Sequence, residues 1–166
     1  MASELGVQTI QHTNGTDALT IDSSGRVSLS NVPAFRAYSD AGWSSLGSAN
    51  TWVTLSLNQT LFDNGNHYDT ANYKYVVPVS GIYSITGCAY QDQTSKGRLA
   101  LYVGSTEKFF TNTDYDGSGT TLHIAGLEKL TAGDELYLKM RIPATDSNDF
   151  YGSSQHTWLA AHLVGA

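Results

Sequence analysis

The sequence holds 166 residues with a net charge of −6, and 14% of them are charged, against roughly 25% in an average soluble domain. That length predicts one domain of ordinary size with room for a small appendage. An acidic chain without a run of Lys and Arg excludes nucleic acid as a partner, since phosphate backbones need clustered cations, and no apolar run nears the ~18 residues of a membrane span, which excludes membrane insertion by a helix. Gly, Ser, Thr, Asn and Tyr are abundant, a polar but weakly charged composition common in extracellular and virion β-proteins. Cys88 is the single cysteine, so no intrachain disulfide forms and its plain reading is a small buried hydrophobe. The first residues show no basic-then-apolar signal, so the chain is expected to be soluble as written.

In chain order, Asn14-Gly15 and Ser24-Gly25 are turn signals between short alternating runs at Thr9-Ile10, Leu19-Thr20-Ile21 and Val27-Ser28-Leu29. They predict a thin β-meander shaft over residues 1–31, too small to enclose a core and dependent on copies of itself. Residues 32–166 show strands and no helix. Residues 35–38 open this part, and residues 52–57 alternate with Val53, Leu55 and Leu57 on one face. Residues 73–90, YKYVVPVSGIYSITGCAY, read as a β-hairpin turned at Pro78-Val79-Ser80-Gly81. Its second run is apolar on both sides, with Tyr83, Ile85 and Ala89 opposite Ile82, Cys88 and Tyr90, so it must be covered twice.

Further on, residues 98–103 and 121–127 turn Leu99, Leu101, Val103, Leu122 and Ile124 inward. Residues 135–142 put Leu136, Leu138, Met140 and Ile142 on one face and Glu135, Tyr137, Lys139 and Arg141 on the other, a strand with one wet side. The run 158–164 is again apolar twice over, with Trp158, Ala160, His162 and Val164 on one face and Leu159, Ala161 and Leu163 on the other. Two such strands in an antiparallel sandwich call for a neighbouring subunit.

Catalytic signals are missing. The five histidines, His12, His67, His123, His156 and His162, have no metal-ligand spacing, and no serine sits in a GxSxG elbow, so the chain reads as a non-enzyme. Asp114-Tyr115-Asp116-Gly117-Ser118-Gly119 places carboxylates two residues apart before glycines. An EF-hand would need an acidic twelfth residue, which here is Ala125, so that motif fails. A looser calcium loop on Asp114 and Asp116 and a solvated turn remain the two readings; no cofactor is otherwise required.

Phe62-Asp63-Asn64, then Pro78 with Gly81-Ile82-Tyr83, then Leu130-Thr131-Ala132-Gly133-Asp134-Glu135-Leu136-Tyr137-Leu138, then the apolar run 158–164, follow one another in this order. That order resembles the C1q-like globular head of the C1q and tumour-necrosis-factor superfamily, over roughly residues 32–166. The resemblance implies an all-β, ten-strand antiparallel jelly-roll sandwich that forms tight homotrimers. On the two doubly apolar strands it places the trimer interface at Ile82, Tyr90, Trp158, Leu159 and Leu163. It names no ligand. The phrase IQHTNGTDALTIDSSGRVSLSNVPAF also resembles the shaft-to-head junctions of phage fibres and other virion appendages.

Consecutive antiparallel strands reverse direction, so the loops at residues 93–96, 112–119 and 143–156 are expected at one end. In the superfamily's topology the first and last strands are neighbours, which makes that end distal to the shaft. These loops carry Asp114, Tyr115, Asp116, Asp146, Asn148, Asp149, Phe150 and Tyr151. Carboxylates hydrogen-bond sugar hydroxyls and aromatic faces pack on apolar sugar surfaces, so this tip is the expected ligand site. The function expected is a trimeric receptor-binding head of a phage tail fibre or similar virion appendage, located in the virion. Its partners would be copies of itself, a host-surface glycan or other receptor, and other appendage proteins. Two alternatives stand beside it: a structural decoration or fibre protein without receptor activity, and a secreted C1q-type adhesion or ligand protein. The second is weakened by the missing signal sequence and the missing Gly-X-Y repeat.

Overall fold

The computed structural model describes residues 6–29, 31–47, 50–91, 96–113, 119–142 and 149–165. The chain divides into two compact units, Met1–Val32 and Pro33–Ala166. In the first, β1 (Thr9–Gln11), β2 (Asp17–Ile21) and β3 (Val27–Ser28) form an antiparallel sheet in that order. Gly15 and Gly25 make its turns at φ +86° and +77°, a left-handed backbone that glycine adopts without a Cβ clash. Asp22 closes the second turn by accepting from the backbone N–H groups of Ser24 and Arg26 at 2.8 and 3.0 Å. None of the described residues of this unit is buried, as its size dictates.

The second unit runs through β4 (Ala34–Tyr38), β5 (Gly42–Ser45), β6 (Val53–Thr54), β7 (Gln59–Asp63), β8 (Tyr68–Asp69) and β9 (Lys74–Val76). It continues with β10 (Gly81–Gln91), β11 (Arg98–Val103), β12 (Thr106–Asn112), β13 (Thr120–Leu130), β14 (Glu135–Arg141), β15 (Asp149–Gly152) and β16 (Trp158–Gly165). Its strands form two antiparallel sheets. In one, β13 follows the whole of one edge of β10, while β16 and then β15 share the other edge. Beyond β16 lie β4 and β7, and beyond β15 lies β5. The second sheet has the order β12-β11-β14-β9-β8, with β6 also on β14. These are more segments than the expected ten strands, because several are pieces of two to four residues sharing one edge of a longer strand.

The core lies between the sheets, and alternation put the right residues there. Tyr83, Ile85 and Ala89 of β10, with Leu122 and Ile124 of β13, face Leu99 and Leu101 of β11 and Leu136, Leu138 and Met140 of β14, all buried. Phe35 stacks on Tyr75 at 4.1 Å and on Tyr68 at 5.4 Å between ring centroids. Buried phenols need partners, and the Tyr68 hydroxyl donates to the Leu57 carbonyl at 3.0 Å while that of Tyr83 donates to Val79 at 2.8 Å. Cys88 is buried as expected, and burial pushes its thiol up to about 11, so it stays protonated at neutral pH.

Three expectations are corrected. Residues 73–90 do not form a hairpin: β9 pairs with β14 and β8, whereas β10 pairs with β13, β15 and β16. The segment 77–80 crosses from one sheet to the other, and Val77 bonds to the 131–134 turn by donating to Asp134 and accepting from Gly133. Only Val53–Thr54 of the 52–57 run is strand, although Leu55 and Leu57 are buried as the alternation required. Residues 149–152 lie not in a loop but in β15.

Candidate functional site

The end of β10, the starts of β11, β13 and β15 and the ends of β12 and β14 meet at one end of this unit. Gln91 pairs with Thr120 and Phe150, Arg98 pairs with Asn112 and Arg141, and the Thr113 N–H donates to the Gly97 carbonyl at 2.9 Å. A Cβ at Gly97 would lie within 2.6 Å of two atoms of the buried Gln91 side-chain amide, so a larger residue there would require that amide to shift. The strand ends that flank the three expected loops therefore lie together, while residues 93–95, 114–118 and 143–148 of those loops are outside the described residues. Asp114, Tyr115, Asp116, Asp146 and Asn148 lie outside the described residues, and with them the calcium loop.

On the outer face of this end, Trp43 of β5 is directly opposite Tyr151 of β15, and Tyr151 is directly opposite Tyr90 of β10. The three rings form a row across three adjacent strands, with centroids 4.9 Å apart for Trp43 and Tyr151 and 5.9 Å for Trp43 and Tyr90. His156 meets Tyr151 and Tyr90 edge-on at 5.1 and 5.5 Å, and its Nδ1 lies 2.6 Å from the Ser153 hydroxyl. Directly opposed aromatic pairs stabilise a sheet, yet Trp43 keeps 51% of its surface exposed. β15 is held against this end by small residues. At Gly152 a Cβ would lie 2.9 Å from the Ala41 backbone nitrogen, and the buried Thr157 hydroxyl donates to the Tyr151 carbonyl at 2.7 Å.

The expected ligand residues scatter relative to this row. Tyr151 belongs to it. Phe150, one position along the strand, points the other way and is buried in the core, so it cannot stack on a ligand. Asp149 is half-buried and paired with Ser45. Trp43 was not among the expected site residues, although an aromatic in a glycine-flanked, polar stretch was the available signal.

The expected interface residues divide similarly. Ile82 is exposed and Tyr90 and Trp158 are half-buried on the outer face of the sheet. Leu159 is 1% exposed and belongs to the sandwich's own core, with Leu163 packed against it, so neither points at a neighbour. Leu127, 66% exposed on β13, and Val164 on β16 join Ile82 instead as exposed apolar side chains on adjacent strands. Tyr90, assigned to the interface, and Tyr151, assigned to the ligand, prove to be neighbours.

No protein-family model matches this sequence, and no curated protein matches it. Among solved structures the chain is similar to murine APRIL, crystallised at pH 5.0, at 14% identity with a TM-score of 0.60 over 80% of this chain and 99% of that chain. It is also similar to the globular domain of zebrafish complement 1qA protein, at 14% identity with a TM-score of 0.55 over 80% of this chain and 97% of that one. Two packed antiparallel sheets with this likeness identify the fold as the C1q and tumour-necrosis-factor type of jelly roll.

Proposed function

We propose that the chain is a homotrimeric binding module, the head of a phage tail fibre or similar virion appendage, that contacts a host-surface glycan through the Trp43–Tyr151–Tyr90 row. The observation that carries this reading is the row itself, an aromatic platform with a half-exposed indole at the end of a rigid sandwich. Aromatic faces pack on the apolar faces of sugars, and loops and strand ends on a fixed scaffold commonly carry recognition. Self-association is supported by the jelly-roll type and by Ile82, Leu127 and Val164, a group of exposed apolar side chains that a monomer has no use for. The virion setting rests on the resemblance of residues 10–35 to shaft-to-head junctions.

A glycan array with the purified chain tests the reading, alongside Trp43→Ala and Tyr151→Ala and light scattering of all three. Specific glycan signals lost by at least tenfold in both variants, with the oligomer intact, are expected. Variants that fall apart into monomers would show that the row is covered by a second copy. An array without signal, from a chain that binds a purified virion component, would favour the structural decoration instead.

A further inference from the structure

The same end of the sandwich carries a second feature, on the other sheet. A cavity of about 350 Å³ is lined by Lys96, Gly97, Arg98, Phe110, Asn112, Thr113 and Arg141. Three of the chain's nine Lys and Arg residues thus line one small cleft in a molecule of net charge −6. The sequence shows no cationic cluster, because Arg141 reaches the cleft only through the pairing of β14 with β11.

That pairing sets Arg98 directly opposite Arg141. Like charges in directly opposed positions destabilise a sheet, so folding alone does not favour this arrangement. Arg98 is partly accommodated. Its guanidinium lies over the Phe110 ring at 4.3 Å and is 5.5 Å from the Trp52 ring centre, and Glu107 approaches it only to 3.9 Å. Glu107 is shared with the Tyr102 hydroxyl, which donates to it at 3.2 Å. Among the described residues, neither Lys96 nor Arg141 is in an ion pair. Two arginine forks present the donor geometry that carboxylates and phosphates accept in pairs of hydrogen bonds. Phe110, half exposed, adds an apolar wall, and the Asn112 amide adds a donor and an acceptor. The volume is at the lower end of the roughly 300–1,000 Å³ of small-molecule sites, which suits one or two sugar rings.

We propose that this cleft is a binding site for an acidic sugar, with Arg98, Arg141 and Lys96 holding its carboxylate or phosphate and Phe110 packing against the ring. It deepens the binding reading above, resting on it only for the ligand's being a sugar, and it is separate from the Trp43–Tyr151–Tyr90 row.

Saturation-transfer NMR and calorimetry on the full chain, with glucuronate, glucose 6-phosphate and glucose as probes, test the proposal. Either anionic probe is expected to bind at least tenfold more tightly than glucose, and which of them does so distinguishes a uronate source from a phosphorylated one. Arg141→Gln should weaken that binding at least tenfold with an unchanged or higher melting temperature, since it also relieves the Arg98 repulsion. Phe110→Ala should reduce saturation of the sugar-ring protons. Equal affinity for glucose and both anions would overturn the proposal, as would no binding of either anion, which would mean that carboxylates elsewhere in the chain neutralise the cleft. Anion binding retained in Arg141→Gln would move the site elsewhere. Because the row and the cleft are mutated separately, loss of array signals in Trp43→Ala and loss of glucuronate binding in Arg141→Gln report independently.

Discussion

Leu159 shows what a single residue of a doubly apolar strand does and does not reveal. Its alternation with Ala161 and Leu163 was legible, but both faces of 158–164 are apolar, so hydropathy could not say which faces the core. The structure places Leu159 inside, beside the core residues of β10 and β4. Removing a leucine side chain there costs transfer energy plus a cavity, so Leu159→Ala should lower the unfolding free energy by about 2–5 kcal/mol in urea titrations. A loss below ~1 kcal/mol would place the side chain outside the core. Leu127 is the converse case: it falls on the wet parity of its strand, and a search for inward residues passes over it. Phe150 and Tyr151 make the same point at the tip. Adjacent in sequence and equally aromatic, they face opposite sides of β15, and only the register with β5 and β10 decides which meets solvent.

Pairings within an element were easier to foresee than pairings between elements. The inward faces of β10 and β14 follow from period-two alternation, whereas the pairing of β9 with β14 does not, since β14 is remote in sequence while β10, which follows β9 directly, belongs to the other sheet. The β9–β14 pairing that replaces the expected hairpin is held by side chains as well as by the ladder. Glu135 accepts from the Lys74 ammonium and, at 2.6 Å, from the Tyr137 hydroxyl. The Lys74 bond foremost, then that of Tyr137, holds the Glu135 carboxyl below its ordinary range, while Tyr137 is raised chiefly by its bond to Glu135. The signs follow from linkage. Glu135 contributes stability that is present above the ordinary glutamate range and lost as pH falls through its lowered value. Tyr137 contributes stability that is lost as pH rises past the ordinary tyrosine range. The difference in melting temperature between the wild type and Glu135→Gln should therefore be largest near neutral pH and shrink below about pH 4. A difference that stays constant down to pH 2 would mean that the bonds are not made in solution. All three groups are half-buried at the sheet surface, where solvent still screens the charges, so the effect should be small beside that of Leu159→Ala.

At the scale of the whole molecule, the exposed apolar side chains on β10, β13 and β16 and the jelly-roll type lead to the same expectation. Leu127→Lys together with Ile82→Lys should convert a trimer into a folded monomer, read by light scattering and by an unchanged far-ultraviolet spectrum, because lysine ammonium groups resist desolvation between subunits. A trimer that survives both changes would place the interface elsewhere. The sandwich was legible because alternation and ordered family phrases are local signals. The aromatic row and the cationic cleft were not, since each is assembled from strands remote in sequence. β16 carries that remoteness furthest: it lies between β10 and β4, pairing Leu159 with both Gly87 and Ala37. A polypeptide leaving the ribosome therefore cannot complete this sheet until its residues up to about Gly165 have emerged. Until then β4 and β10 each present an unpaired edge, and closure must pay the entropy of a very long loop. Synthesis and folding are thus separated in time, and the interval in which those two edges stand open is when the chain is most exposed to mispairing with its own copies.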